Sequence, residues 1–488
     1  SGNYVLEQFP VSSDDRIPQG ETESKVHALV GQGTAYVKGF RVENSGERSF
    51  EIDPISTTDT QENQSVATDY GYYVKITGTV GRVDIDYTPV TLQDSGNSTI
   101  GQALAINITP DRLYLSNIQM SGSIANLAKV TDGNGSIEVE NRLQEVTGKP
   151  LLFDTGLISL FGTSDTLIPV RATVTATPSS GAITITANPG EDFDCQNDDI
   201  FVVTTGTNDH KPLDPNIAVT TTNNNSELNF TLTDTAAGQV QVYFNKRLIG
   251  SSGIEPYDKV VRQPWVKVSY SGNATPANTR YSLGFPDVFE IEEIKTLGTG
   301  PGGIDEDFTN SFRLKRNQKD QFYDISYIEH IEGRPKPADG AQNLYIKMKV
   351  FEVSNATGEY FFSINSYPNT LDRNDIPVHV SDTGIRYNLR DCFDFRPHVD
   401  KDGAADYNAS TTGSAPHITT AVGTIPTFTS LGAPLIPALS SGITTDIEYY
   451  LTRIDTIVCD SYGDLSLVKG TEAQYAVPAK IENDKLAI

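Results

Sequence analysis

Alternation of apolar and polar residues dominates the chain. Ala35-Tyr36-Val37-Lys38-Gly39-Phe40-Arg41-Val42 sets small or polar residues between apolar ones, and Tyr72-Tyr73-Val74-Lys75-Ile76-Thr77 repeats the pattern. A period of two rich in β-branched and aromatic residues marks a half-buried strand. Residues 172–177 and 182–186 alternate in the same way around Pro178-Ser179-Ser180-Gly181, which predicts a hairpin. Residues 228–232 and 240–244 form a second expected strand pair. Residues 447–451 and 453–458 form a third, and Gly463 turns the chain into 465–470. One short helix is expected within 135–147, around Val139-Glu140-Asn141-Arg142-Leu143, with Gly148 as its stop. Nothing else sustains a period near 3.6. The expected class is mainly β: several antiparallel β domains, one of them an inserted immunoglobulin-like sandwich, with few short helices.

Shifts in composition divide the chain. Residues 1–80 read as an N-terminal β domain and 81–165 as a β-rich connector holding the short helix. Residues 166–251 are rich in Thr, Val and Asn, with turn clusters at the spacing of a β-sandwich, although the immunoglobulin Cys…Trp…Cys hallmark is absent. From 252 to 399 the chain is a further β-rich domain, denser in aromatic and charged residues from Trp265 onward. Residues 400–446 are a low-complexity surface excursion, and 447–488 are C-terminal strands leading into the rest of a longer chain. That longer parent is expected because Ser1-Gly2-Asn3-Tyr4 is no signal peptide and Lys485-Leu486-Ala487-Ile488 ends on an apolar run.

Charge narrows the function. There are 63 acidic and 37 basic residues among 488, a net charge of −26. Phosphate contact needs a basic surface, so nucleic-acid binding is disfavoured. The composition excludes a membrane-spanning helical chain, a coiled coil, collagen and a disulfide framework. Cys195, Cys392 and Cys459 are odd in number and widely spaced, which fits synthesis in a reducing compartment.

Candidate chemistry is sparse. The six His show no HExxH or HxH spacing, and there is no GxSxG elbow. Gly298-Thr299-Gly300-Pro301-Gly302-Gly303 lacks the Lys-Ser/Thr of a phosphate loop and reads as a loop. Asp400, Asp402 and Asp406, and separately Asp192, Asp194, Asp198 and Asp199, are calcium-like oxygen clusters, but solvated acidic turns are the simpler reading. No cofactor or metal site is expected. Leu389-Arg390-Asp391-Cys392-Phe393-Asp394-Phe395-Arg396-Pro397 interleaves charges with apolar residues. Asp391 is expected to share the Cys392–Asp394 neighbourhood with Arg396 across a turn, and charges so near a core need partners, so an ion pair there is expected to fix the conformation.

Five blocks resemble, in order, motifs of large virion structural proteins of contractile-tailed bacteriophages, cyanophages among them. Residues 33–42 are similar to a G-x-A-Y-V-x-G strand that contains Tyr36, Gly39 and Phe40; a Pro/Asp/Thr segment and Gly71-Tyr72-Tyr73-Val74 follow. Arg316-Asn317-Gln318-Lys319-Asp320-Gln321-Phe322-Tyr323-Asp324 resembles N-G-Q-R-D-x-F-Y-D, without the motif's Gly. Residues 358–367, ending on Tyr367, resemble G-x-Y-F-x-x-x-S-Y, and 389–397 resemble L-R-D-x-x-D-F-R-P. Residues 449–470 resemble Y-Y-L-x-R-I-D…G…V-x-G.

The resemblance implies a baseplate or tail-fibre component rather than an enzyme, placed in the virion tail and made in the host bacterial cytoplasm. Its expected partners are other phage tail and baseplate proteins and further copies of itself, a trimer being the candidate stoichiometry. Tyr36, Gly39, Phe40, Asp324, Tyr367, Asp391, Asp394, Phe395, Arg396, Arg453 and Asp455 would then hold the scaffold. Two alternatives stand beside this: a receptor-binding adhesin that contacts a host surface glycan through 166–251, and a surface-polysaccharide hydrolase or lyase drawing on the abundant carboxylates.

Overall fold

A computed structural model describes residues 4–5, 11–14, 26–53, 55, 57–80, 87–145, 150–195, 199–204, 210–212, 217–232, 238–249, 254–271, 280–298, 305–337, 341–354, 361–371, 373–403, 418–419, 421–422, 428, 435–439 and 441–488. The fold is mainly β, with many antiparallel sheets; among the described residues the only helical pieces are short 3-10 turns. Two compact units are present, one of Ser1–Gln61, Ile158–Phe161 and Ile447–Ile488, the other of Glu62–Leu157 and Gly162–Asp446.

The first unit brings residues 28–52 and 457–488 into one core. Ala35, Val37 and Val42 from Gly33–Val37 and Phe40–Asn44 pack with Ile457 and Cys459. The expected alternation at 35–42 is thus realised as a hairpin. Its turn residues Lys38 and Gly39 have φ of 52° and 88°, the positive pair that matches strand twist. Gly463, at φ 89°, makes the expected turn between Thr456–Cys459 and Leu465–Val468. The expected pairing of 447–451 with 453–458 does not form. Gly442–Tyr450 is one strand, and Thr456–Cys459 pairs instead with Leu465–Val468 and Leu486–Ala487.

The second unit opens with a closed barrel. Its strands run in the order Thr99–Ile108, Arg112–Met120, Tyr72–Val80, Ser136–Glu145, Lys129–Thr131 and Thr88–Gln93, and the last closes onto the first. Val74, Leu92, Ala105, Leu113, Val130 and Ile137 fill it. The helix expected at 139–143 is therefore corrected to strand. Ile137 and Val139 alternate inward, and the polar run Glu140-Asn141-Arg142 is a bulge where the register to Tyr72–Val80 shifts. Thr99–Ile108 is buried along most of its length because Ala103 and Ala105 face the barrel while Leu104 and Ile106 face the neighbouring core.

The region expected as a sandwich consists of two sheets around Ile183, Ile185, Leu228, Phe230, Val240 and Val242. The strands fall where alternation put them, but the pairings differ. Ala182–Thr186 pairs with Glu227–Thr231, and Leu160–Ala176 with Val240–Leu248. Ser180 and Gly181, at φ 52° and 84°, close a tight turn, yet the ladder stops at the Ser179–Ala182 bridge because the flanking strands join opposite sheets. A further pair of sheets follows. Arg280–Pro286, Ile325–His330 and Phe312–Lys315 form one; Ala341–Val353 organises the other, pairing with Lys259–Arg262, Trp265–Ser271 and Val288–Thr296. Leu283, Ile294, Ile328, Leu344 and Ile346 fill the space between them. The turn that carries the chain from the first sheet to the second is Asp287, at φ 55°.

Gly470, the last residue of the V-x-G block, donates its N–H to Asp455 Oδ1 at 2.9 Å, and a Cβ there would overlap the Ile454 carbonyl. Gly470→Ala is expected to destabilise the first unit by about 1–3 kcal/mol through overpacking, whereas Gly46→Ala, with nothing within 4 Å, leaves it unchanged. Urea unfolding of the two variants checks this; equal midpoints would refute it.

Candidate functional site

The second unit encloses a cluster of charges with almost no solvent contact. Lys259 begins the strand Lys259–Arg262, Asp287 sits at the inter-sheet turn, and Asp394, Arg396 and His398 come from one stretch of chain. That stretch is held on both sides. Cys392–Asp394 pairs with Leu152–Asp154, and Asp394 exchanges backbone hydrogen bonds of 2.7 and 2.8 Å with Phe362. Tyr323 donates its N–H to the Pro397 carbonyl at 2.8 Å, and Val399 donates to the Tyr323 carbonyl at 3.0 Å.

The side chains form a connected network. Arg396 is 0% exposed and grips Asp394 twice, Nε to Oδ1 at 3.0 Å and Nη2 to Oδ2 at 2.8 Å. Its Nη1 donates to the Lys319 carbonyl at 3.1 Å. The Tyr323 hydroxyl donates to Asp394 Oδ2 and accepts from Lys259 Nζ at 3.3 Å. Lys259 Nζ lies 2.7 Å from Asp287 Oδ2, while Gln318 Nε2 donates to Asp287 Oδ1 at 2.9 Å. His398 Nε2 is 3.4 Å from Asp287 Oδ2. An ionised carboxylate only accepts, so that nitrogen carries the proton. The His398 ring stacks on Tyr323 at 4.2 Å and 5°, and the Arg396 guanidinium lies 4.3 Å from the centre of the same Tyr323 ring.

Two cations face two anions, and the protonation states follow. Burial raises the Asp394 carboxyl, but Arg396 outweighs it and the net shift is downward. Asp287 behaves alike: burial raises it, and Lys259 with the His398 hydrogen bond holds it well below the carboxylate range. Burial lowers His398, partly offset by Asp287, so the imidazole is neutral at pH 7. Burial pushes Tyr323, Tyr367 and the Cys392 thiol far up, which keeps them protonated. His398 also borders a cleft of about 370 Å³ walled by Val260, Phe285, Phe351 and Val399, with Arg262 and Lys401 both on Glu352 at its rim.

Of the residues expected to hold the scaffold, Tyr367, Asp394, Phe395 and Arg396 meet in or against this cluster. Phe395 stacks on Phe361, 5.4 Å between ring centres. The expected approach of Asp391 to Arg396 is corrected: Arg396 takes Asp394, two residues back on the same face, and Asp391 lies apart from it. It pairs with Arg390 at 3.1 Å, and its carbonyl accepts from Thr155. Asp324 accepts from Asn317 Nδ2 at 2.9 Å in the preceding turn, and Asn317, which stands at the motif's Gly, has φ 55°. Asn tolerates the left-handed region better than most residues, so the turn survives the exchange.

In the first unit, Arg453 binds Asp455 at 2.9 Å, Glu472 at 3.1 Å and the Asp53 carbonyl at 2.8 Å. Tyr36 is half-buried, Gly39 supplies the hairpin turn, and Phe40 is 64% exposed rather than in the core. Lys259, Asp287 and His398 were not singled out from sequence. Asp287 gave one signal, the Pro286-Asp287 turn pair; Lys259 begins an ordinary strand and gave none.

The acidic clusters have partners of their own. Asp192 takes Arg247 at 2.6 Å, and Asp402 accepts from Thr419 N at 2.9 Å and from its hydroxyl at 3.0 Å. Asp198 and Asp406 lie outside the described residues, as does most of 298–303. Among the described residues no group of three or more His, Cys, Asp or Glu is placed to hold a metal ion, and no helix is long and apolar enough to cross a membrane. No protein-family model, curated protein or solved structure matches the chain.

Removing one partner of a buried pair strands the other charge. Arg396→Ala is expected to cost about 3–5 kcal/mol, while the double change Asp394→Leu/Arg396→Met costs much less, because no charge is left behind. Urea unfolding of both variants checks this; a single variant that melts like the parent would refute it. The pH dependence has a fixed sign. His379 and His398 are held below the ordinary imidazole range, chiefly by burial, so the unfolded chain binds their protons first. Their contribution is complete above about pH 6.5 and is lost as pH falls. That of Asp394, whose pKa is lowered, is lost below about pH 4. Melting temperatures measured from pH 7 to 3 should therefore fall throughout, and a flat curve between pH 7 and 5 would refute the histidine contribution.

Proposed function

We propose that this chain is a structural part of a contractile phage tail, in the baseplate or a tail fibre, where it joins other tail proteins. The observation that carries the reading is a convergence. Tyr323, Tyr367, Asp394 and Arg396 come from three of the five ordered motif blocks and meet in one buried, charge-balanced cluster. Motif residues turned toward one another in a core favour an architectural role over a catalytic one. A net charge of −26 supports solubility before assembly, and an all-β chain supplies edges and faces for neighbours. In this reading the two-sheet region within 166–251 is an immunoglobulin-type spacer, and the chain self-associates as a trimer.

One observation favours an adhesin as the second reading. The sheet of Ala182–Thr186, Glu227–Thr231 and Thr220–Thr222 presents an exposed polar row, in which Thr184 donates to Asn229 at 2.7 Å and Asn229 to Thr222 at 3.0 Å. Such a face offers hydrogen bonds to a host surface glycan.

Immunogold labelling of purified particles separates these ideas. Label at the tail end of intact particles is expected, and label confined to the soluble fraction would overturn the structural reading. Particles that lack 166–251 should still assemble; if they assemble but no longer adsorb, the adhesin reading takes precedence.

A further inference from the structure

Lys259 and Asp287 form a pair of opposite charges that is almost wholly buried in the second unit. Their side chains are 0% and 1% exposed, with Nζ and Oδ2 2.7 Å apart. Four aromatic rings enclose the ammonium: Phe362 at 4.4 Å, Tyr323 at 4.5 Å, Tyr367 at 5.2 Å and Phe351 at 5.8 Å. A buried ammonium and carboxylate in direct contact are the reactants of an amide. We propose that Lys259 and Asp287 condense to an internal isopeptide cross-link between Nζ and Cγ.

The surrounding groups stand where that reaction needs them. Gln318 Nε2 donates to Asp287 Oδ1, the oxygen that carries the negative charge of the tetrahedral intermediate. His398 Nε2 lies beside Oδ2, the oxygen that leaves. Tyr323, anchored on Asp394, accepts one Nζ hydrogen and so orients the nitrogen. The balance closes within the pair. One proton passes from Nζ to Oδ2, giving a neutral amine and a neutral acid. The nitrogen lone pair then attacks Cγ, the C–N bond forms, and Oδ1 takes the displaced electron pair. His398 Nε2 gives its proton to Oδ2, and the second proton, which leaves the amide nitrogen, replaces it on that ring nitrogen. Oδ2 departs as water with the C–O electrons, and the Oδ1 carbonyl is restored.

Ammonium and carboxylate thus become an amide plus one water, with no oxidant, reductant or co-reactant. His398 borders the cleft, which gives the water a way out. Fixed proximity of the two groups replaces activation: effective molarities of well-oriented pairs reach about 10⁵–10⁸ M. The product leaves one cation, Arg396, opposite one anion, Asp394, so the cluster stays balanced, and the desolvation cost of two buried charges disappears.

The test is the intact mass of the full chain under denaturing conditions. The expected mass is lower by one water than the sum of the residues. A tryptic digest should show no cleavage after Lys259 and one branched peptide that joins Lys259 to Asp287. Lys259→Arg and Asp287→Ala should each restore the full mass, and Gln318→Ala should slow the appearance of the lighter species. The full residue mass in the unaltered chain would overturn the proposal, and so would a lost water mapped to another position. The unaltered chain decides by itself if the variants fail to fold.

Discussion

A guanidinium without solvent needs a carboxylate in a fixed place, and much of the second unit is arranged around that requirement. Arg396 finds its partner two residues back, at Asp394. This spacing points both side chains to one face of the chain and sends Phe393 and Phe395 to the other, into the core of the unit. The pair then recruits its surroundings. The Lys319 carbonyl takes a third guanidinium donor, and the Tyr323 hydroxyl takes a lone pair of Asp394, so the loop 316–324 is drawn onto the strand. Phe362 and Leu152–Asp154 close the backbone on either side. A pair of this kind adds little net stability against an apolar alternative. Its effect is selective: an arrangement that separates the charges leaves one of them bare in the interior.

Balance extends the same logic. Lys259 and Asp287 would each be costly alone at that depth, and each is placed by the other and by groups that the first pair already holds. Tyr323 is the link. Its ring lies under Arg396, against His398 and near Lys259, and its hydroxyl touches both pairs. The cluster therefore behaves as one object with several strands attached.

Local pattern was readable from the sequence, and pairing was not. Strands at 172–177, 182–186, 228–232 and 240–244 were legible because a period of two survives in Ile183, Ile185, Val240 and Val242 whichever sheet receives them. Their partners were not legible, because a tight turn such as Ser180-Gly181 suits a hairpin and a sheet-to-sheet crossing alike. The polar run at 140–142 looked like a helix face, since a bulge and one turn of exposed helix leave the same trace in so short a stretch. At the site, Arg396 was legible from charges interleaved with Phe393 and Phe395. Asp394 rather than Asp391 as its partner depended on which side chain the bend turns inward. Lys259 carried no local mark, because its role arises from contacts with residues 287 and 323, far along the chain.

The strand Thr99–Ile108 separates two interiors without belonging to either alone. Ala103 and Ala105 are part of the barrel filling, while Leu104 and Ile106 are part of the adjoining core. Along residues 103–108 such a wall has no solvent side on which a change of side-chain volume is absorbed cheaply. The barrel also has no free edge along which this strand peels away on its own. Barrel and core therefore share one cooperative boundary: opening either exposes the other, and the amide hydrogens of this strand exchange only when both come apart.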